Sequence, residues 1–491
     1  MVAEAFVEGK PRRVENVDCL LIVPPLVKYT AGPLLGPAML KGAAAAAGNR
    51  VEVLDLNVGY VNQHASECVA ARQVGDHDRD VQGLRRVESG WLDQAKRWLP
   101  SPPKTERIGV DAACAMLYPF DAVEQAASRL VESGDGVWIR RELSRHARPS
   151  CVGVSVMFSG QVLWAMAVAM AAQRLWPGMP VIAGGSHITA LKHEIASDAA
   201  YGRWFDRFVF GYAEITFVES ISAYAGKGEM PPESVRAGDG RVVDARGDGN
   251  VVPEFGDLSL YRRERTTLPA QYSRGCAYGK CRFCTYPAVE GEYHTLGNGP
   301  VDSVIARAAG IGGAVSFKDS LIVGKRLEAL ARLIGGHVEW SACTKMHPWL
   351  GVENLKMLRS HGCRTLELGV ETLVDSSQRF IGKVQPRELF EGVLRAACDA
   401  GVGLVVNTIT GFPFEDQEEA RRELDAIRAM VQREGGDACK VEHNRFELER
   451  RAPLAADRAI RVTQSWPWSS LLDWMEIEQP NPRGIALPVL A

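Results

Sequence analysis

Long apolar runs are missing from this 491-residue sequence. The most apolar stretch, Val162 to Leu175, falls short of the roughly 20 apolar residues a bilayer crossing needs, and it carries Gln173 and Arg174. It reads as a buried helix. The run from Met1 to Arg13 lacks the apolar core of a secretory signal and is interrupted by charges, so a cytoplasmic protein with no membrane partner is expected. No block of Lys and Arg stands out, and the formal net charge is -3, which gives no reason to expect a nucleic-acid partner. Internal repeats and low-complexity tracts are also missing. Of 11 cysteines, Cys19, Cys68, Cys114, Cys151, Cys343, Cys363, Cys398 and Cys439 follow no regular interval and sit mostly in apolar or helical patterns. They read as reduced core thiols, not as a disulfide framework.

What is present is ordinary in bulk. Hydrophobic residues make up 46% and charged residues 24%, the balance of a globular chain, and the length exceeds what one core usually serves, so two or more domains are expected. Asp18 to Pro25 is a short apolar run ended by prolines, a buried strand followed by a loop. Pro37 to Gly48 suits a helix closed by glycine, and Val51 to Leu56 returns as a strand. After a mostly helical interruption, about Asn57 to Pro149, with Trp91, Trp98, Trp138 and a breaker at Ser101-Pro102-Pro103, the alternation resumes. Cys151 to Val156 is strand-like, Gly160 to Trp176 helical, Pro180 to Ala183 a strand ending in Gly184-Gly185-Ser186-His187, and Arg207 to Gly211 another strand before Tyr212-Ala213-Glu214. This is the pattern of an open, doubly wound α/β sheet, which binds ligands at the carboxyl ends of its strands.

Gly226 to Asp248, rich in Gly, Pro and acids without periodicity, reads as a linker. Beyond it, strand-like runs at 270–273, 314–317, 338–341, 365–368, 403–409 and 440–442 alternate with helical ones at 301–309, 325–334, 352–360, 386–400 and 416–433. Six strands alternating with helices predict an incomplete (β/α) barrel, with chemistry at its strand ends. The expected division is an N-terminal unit over 15–225 with the insertion at about 57–149, a linker over 226–268, a barrel over 269–449 and an extension over 450–491, whose pattern is unassigned.

The remaining three cysteines crowd one loop after the first barrel strand: Ser273-Arg274-Gly275-Cys276-Ala277-Tyr278-Gly279-Lys280-Cys281-Arg282-Phe283-Cys284. Three thiolates on a short loop can ligate three corners of an iron-sulfur cube and leave the fourth iron open to a ligand. A zinc site completed by a residue such as His294, or a chance cluster of free thiols, is the plainer alternative. Gly275 and Gly279 give the backbone freedom so tight a loop needs.

This loop resembles that of the radical S-adenosylmethionine enzymes, and Ser273-Arg274-Gly275-Cys276 with Phe283 before Cys284 is similar to the branch that also carries a cobalamin-binding domain. The spacing departs from the family's Cys-x3-Cys-x2-Cys by one extra residue between Cys276 and Cys281, which Gly279 can absorb. The resemblance continues at Phe317-Lys318-Asp319-Ser320, at Leu368-Gly369-Val370-Glu371-Thr372 and at Asn407 to Pro413. It implies that Cys276, Cys281 and Cys284 hold a [4Fe-4S] cluster, and that Phe283, Asp319, Ser320, Gly369, Glu371 and Asn407 lie along S-adenosylmethionine. Asp319 and Glu371 also read as solvated strand-end acids and Phe283 as a core aromatic.

The N-terminal half resembles the cobalamin-binding domain of the same branch through Val23-Pro24-Pro25, Gly36-Pro37-Ala38, Val53 to Asn57, Gly184-Gly185-Ser186-His187 and Gly211-Tyr212-Ala213-Glu214. The Asp-x-His-x-x-Gly signature that supplies a histidine to cobalt is absent after the first strand. His187 reads either as a ligand or as a hydrogen-bonded loop histidine. Pro24, Pro25, Gly184, Gly185, Ser186, Gly211 and Glu214 are the cobalamin-binding positions the resemblance implies, within a Rossmann-like domain that precedes a partial (β/α)6 barrel. Together the two likenesses span about residues 15–445 and imply a methyltransferase acting on an unactivated carbon or phosphorus of a specialised metabolite or peptide. A non-methylating radical enzyme and a cofactor-binding protein without turnover stay open. A one-electron reductant of the flavodoxin or ferredoxin type is the implied partner.

Overall fold

The computed structural model describes residues 17–25, 32–64, 119–261 and 265–476. Cys68, Cys114, Trp91, Trp98, the Ser101-Pro102-Pro103 breaker and the Pro-rich end lie outside the described residues.

The first sheet is parallel throughout, with strands β1 (Cys19–Val23), β2 (Val51–Asp55), β3 (Cys151–Ser155), β4 (Val181–Gly184) and β5 (Arg207–Val209) in the order β2-β1-β3-β4-β5. β1 and β3 are buried along their whole length, as continuous apolar runs are when helices cover both faces of a sheet. Helix Val162–Leu175 is buried nearly all round, from Val162 to Ala172, which explains its run of apolar residues. Boundaries shift by a few residues throughout, and the first barrel strand lies at Thr267–Ala270, not at 270–273. Leu56 starts a helix and does not end β2, and Ser186 and His187 start a short helix where a loop was expected. The expected linker is not a free connection: Val235, fully buried, bridges to Phe208, and Asp244 bridges to Phe210 beside β5.

A second parallel sheet follows in sequence order, β6 (Thr267–Ala270), β9 (Ala314–Phe317), β10 (Glu339–Lys345), β11 (Cys363–Glu371), β12 (Gly403–Thr410) and β13 (Cys439–Arg445). β6 and β13 do not pair with each other, so the barrel is open. A two-stranded ribbon, β7 (Ser273–Arg274) with β8 (His294–Thr295), flanks the cysteine loop. Along β10 and β11, buried and half-buried residues alternate strictly over the central positions. Trp340, Ala342, Leu366 and Leu368 pack outward, while Ser341, Cys343, Lys345, Thr365 and Glu367 occupy the other face. The outer helices meet this layer through apolar stripes such as Phe390, Val393, Leu394 and Ala397, the spacing expected from sequence.

The unassigned extension forms a third, antiparallel sheet, β14 (Leu448–Glu449), β16 (Leu471–Glu476) and β15 (Ile460–Ser465). It shares a core with Phe380, Phe412 and Phe446. Its connecting turn sends Trp468, 1% exposed, into the core beneath the first sheet, where it meets Tyr201 at 4.7 Å and Phe205 at 6.0 Å between ring centroids. No described helix is long and apolar enough to cross a membrane.

Candidate functional site

The cysteine loop leaves β7 at a strand end of the open barrel. Gly275 (φ 71°) and Gly279 (φ 60°) both take the left-handed region, and a Cβ on Gly275 would lie 2.8 Å from the Glu292 carbonyl. The Gly279 N–H donates to the Cys276 sulfur at 3.4 Å, so the residue that absorbs the extra spacing also turns toward the first thiol. Tyr278 Oη donates to the Gly382 carbonyl at 2.7 Å and its ring carries the Lys345 ammonium at 3.8 Å, pinning the loop against the barrel.

All three thiols are half-buried and free. Burial pushes Cys281 up to about 11 and Cys284 up to about 12, and the neighbouring thiols add to both. Cys284 therefore feels both other thiols of the loop and Cys281 feels Cys276, yet among the described residues no three His, Cys, Asp or Glu side chains form a group that could hold a metal ion. His294, the fourth ligand a zinc site would want, is exposed, with Nδ1 3.1 Å from the Glu292 carbonyl. A cube is held by thiolates at its corners, and three free thiols on one loop are the donor type it needs.

The strand-end residues divide by what they touch. Asp319, 1% exposed, accepts from the Tyr272 amide at 3.0 Å and from the Ser273 hydroxyl at 2.6 Å, as well as from the Ser273 amide. It shapes the chain entering the loop and is not the solvated strand-end acid of the plainer reading. Ser320 donates to Glu290 at 2.6 Å. Glu371 sits in the left-handed region (φ 63°) at a bulge of β11 and accepts from Lys383 at 2.7 Å, both side chains being nearly buried. A Cβ on Gly369 would come within 2.6 Å of that carboxylate, which accounts for the glycine. Asn407 lies half-buried beside Gly369 in register on β12. Phe283 packs edge-on against Phe412, centroids 6.0 Å apart, as a core aromatic does.

Deeper on the half-buried face of the barrel lies a polar group the sequence reading did not single out. Cys343, kept neutral by burial with its thiol pushed up to about 12, donates to Glu367 at 3.6 Å. Burial lowers Lys318 while Glu367 and Cys343 draw it back up. Their signal in the sequence was the strand alternation, which puts 343 and 367 on the face turned away from the helices.

In the first sheet, a crevice of about 620 Å³, partly open to solvent, lies at the carboxyl ends of the strands. It brings together Gly184, Gly185, Gly211 and Glu214 of the expected positions and adds Ser155, Tyr212 and Phe217, which were not expected. Cβ atoms on Gly36 or Gly211 would meet nothing within 4 Å, so the space beside both is open. Pro24, Pro25 and Ser186 do not line it: Pro24 gives its carbonyl to Gln161 at 2.7 Å, and the Ser186 hydroxyl donates to the Met157 carbonyl at 2.9 Å. His187 is buried, and its Nε2 donates to the Trp468 carbonyl at 3.0 Å, the hydrogen-bonded alternative. Glu214 lines the crevice and is buried. It pairs with Arg274 at 2.5 Å, joining the crevice wall to the cysteine loop.

No protein-family model matches the sequence, and no curated protein matches it. Solved structures do. The radical S-adenosylmethionine methyltransferase TsrM from Kitasatospora setae, with cobalamin and a [4Fe-4S] cluster bound, is 16% identical over 91% of this chain and 77% of that one, with a TM-score of 0.57. The cobalamin-dependent S-adenosylmethionine radical enzyme OxsB, with aqua-cobalamin and S-adenosylmethionine bound, is 12% identical over 94% of this chain and 64% of that one, with a TM-score of 0.61. At such identities the likeness speaks for architecture. A doubly wound parallel sheet followed by an open barrel, the fold of the cobalamin-dependent radical S-adenosylmethionine enzymes, is the fold of this chain.

Proposed function

We propose that the chain is a cobalamin-dependent radical S-adenosylmethionine enzyme that methylates an unactivated carbon or phosphorus of a small molecule or peptide. One observation carries the reading: three free thiols on a single barrel-mouth loop, tied by a buried ion pair to the wall of a glycine-lined crevice on the other, doubly wound sheet. In this reading Cys276, Cys281 and Cys284 hold a [4Fe-4S] cluster, and the crevice lined by Gly36, Gly184, Gly185 and Gly211 receives part of a corrinoid. S-adenosylmethionine lies along the ends of β9, β11 and β12, near Ser320, Gly369, Glu371 and Asn407. Bound there, these cofactors supply the electron that breaks a carbon-sulfur bond and the methyl group that is transferred, chemistry no side chain provides.

The chain's own residues bind, orient and exclude water. Asp319 and the Arg274 ion pair fix the loop. Phe412 and Phe446, both buried, close one flank of it against solvent together with Phe283. The half-buried face with Lys318, Cys343 and Glu367 offers the substrate polar contacts, and a flavodoxin- or ferredoxin-type protein is the proposed electron donor.

Anaerobic reconstitution with iron, sulfide and hydroxocobalamin tests the reading. The absorbance spectrum is expected to resolve both cluster and corrinoid, and reduction in the presence of S-adenosylmethionine to cleave it. The triple variant C276A/C281A/C284A keeps the corrinoid and loses all cleavage. Preferential uptake of zinc, or a wild-type protein that takes up no corrinoid, would overturn the proposal. A product heavier by one methyl group separates methylation from other radical chemistry.

A further inference from the structure

The ion pair between Glu214 and Arg274 is out of proportion to what stability requires. Glu214 opens the helix Glu214–Tyr224 at the rim of the first sheet, and Arg274 lies two residues before Cys276. They are 3% and 2% exposed. Arg274 donates to the two carboxylate oxygens at 2.5 and 3.3 Å and through Nε to Gln271 at 3.3 Å, and its guanidinium lies 3.8 Å from the centre of the Tyr212 ring. Gln271 in turn donates to the Tyr212 hydroxyl at 2.9 Å, and the Asp248 amide donates to Glu214 at 3.1 Å. Every nitrogen of the fork and both carboxylate oxygens are engaged. Taking two charges out of water costs about as much as their attraction returns, and apolar residues of similar volume often serve stability equally well. What the pair adds is direction, because a planar fork on a carboxylate accepts one geometry.

The backbone on either side leaves little slack. Ser273 is held by Asp319, Arg274 pairs in register with His294, and Gly275 is pressed against Glu292. Across the pair, Tyr212 and Glu214 both line the crevice. We propose that Arg274 and Glu214 are positioning residues that set the cysteine loop in one orientation against the crevice wall, so that a metal centre on the loop and a ligand in the crevice keep a fixed separation. The inference rests on the reading that the loop holds a cluster and the crevice a corrinoid, and it adds the device that aligns them.

The test uses the reconstituted full-length protein and pulsed electron paramagnetic resonance between cob(II)alamin and the one-electron-reduced cluster. Wild type is expected to give a single narrow distance. The double variant E214Q/R274M leaves no unpaired buried charge and keeps an acceptor for the Asp248 amide, so it is expected to fold. R274K retains the charge without the fork and serves if the double variant does not. Either variant is expected to load both cofactors and to give a broadened distance distribution, which a role in stability alone would not produce. A distribution as narrow as wild type in both variants overturns the proposal. Should wild type load no corrinoid, the functional reading fails on its own, and hydrogen exchange of the cofactor-free protein decides the tie. Amides from Ala277 to Cys284 are then expected to exchange about tenfold faster in the variants, and unchanged rates overturn it.

Discussion

The carboxylate of Asp319 accepts from two successive amides and one hydroxyl, and so fixes the chain that leads into the cysteine loop. Asn in its place would present an amino group to one of those donors and lose the charge that strengthens the others, at about 1.5–3 kcal/mol for each bond to a charged group. Asp319→Asn is therefore expected to lower stability by about 3 kcal/mol in a denaturant titration and to reduce iron bound per chain after reconstitution. A variant with the wild-type midpoint and full iron content would remove Asp319 from this role. His187 carries a prediction of a different kind. Burial lowers it from 6.5 to about 4, against the opposing hydrogen bond to the Trp468 carbonyl. The folded state thus holds it neutral, while the unfolded chain takes up a proton below pH 6.5. Its contribution to stability is intact above that pH, falls as the pH drops toward 4, and changes by about 3 kcal/mol over the interval. Urea titrations from pH 7 to 4 check this, with His187→Gln expected to show a shallower decline.

At the scale of elements, Gly185 closes β4 with φ 108°, and a Cβ there would lie 2.3 Å from the Val156 carbonyl. Gly185→Ala is expected to cost about 1–3 kcal/mol and to weaken hydroxocobalamin binding in a spectrophotometric titration, because the backbone that must shift is the crevice wall. Unchanged affinity would separate the crevice from the corrinoid. The strand signals that placed this crevice and the barrel mouth were local: continuous apolar runs in β1 and β3, and helical stripes such as Phe390 to Ala397. The glycines at 275 and 279 were also legible, since a three-cysteine loop this short requires turns that side chains resist. The sheet built from β14, β15 and β16 was not. Its apolar residues Ile460, Leu472 and Trp474 find their partners in Phe412 and Phe446, so neither strand announces a buried face within its own sequence. The ion pair of Glu214 with Arg274 was hidden for the same reason, being a contact between groups sixty positions apart in sequence. Glu214 was marked through the resemblance of Gly211-Tyr212-Ala213-Glu214, which carries no information about its partner.

For the whole molecule, the question is what makes two sheets behave as one body. The loop bearing the cysteines is held from three directions: by the first unit through Arg274, by the barrel through Tyr278, and by the extension through Arg282, whose guanidinium pairs with Asp457 and whose carbonyl accepts from Leu454 at 2.9 Å. The extension then continues to the first unit. Arg451 pairs with Glu194, the Trp468 carbonyl accepts from His187, and the Trp468 ring fills a site among Phe120, Tyr201 and Phe205. A residue that belongs by sequence to the sheet beside the barrel is therefore part of the core of the doubly wound unit. Such an arrangement couples the unfolding of both, since neither core can open without breaking the strap or extracting the tryptophan. Trp468→Ala leaves a cavity whose cost, about 3–5 kcal/mol, falls on the first unit alone. Calorimetry of wild type is expected to show one cooperative transition. The variant is expected to show two, the earlier one belonging to the doubly wound unit and identifiable by loss of corrinoid binding ahead of loss of the cluster chromophore. A variant that melts in a single transition at the wild-type temperature would mean that the Trp468 ring does not couple the two units and that their other contacts, the Arg274 and Arg451 ion pairs among them, suffice.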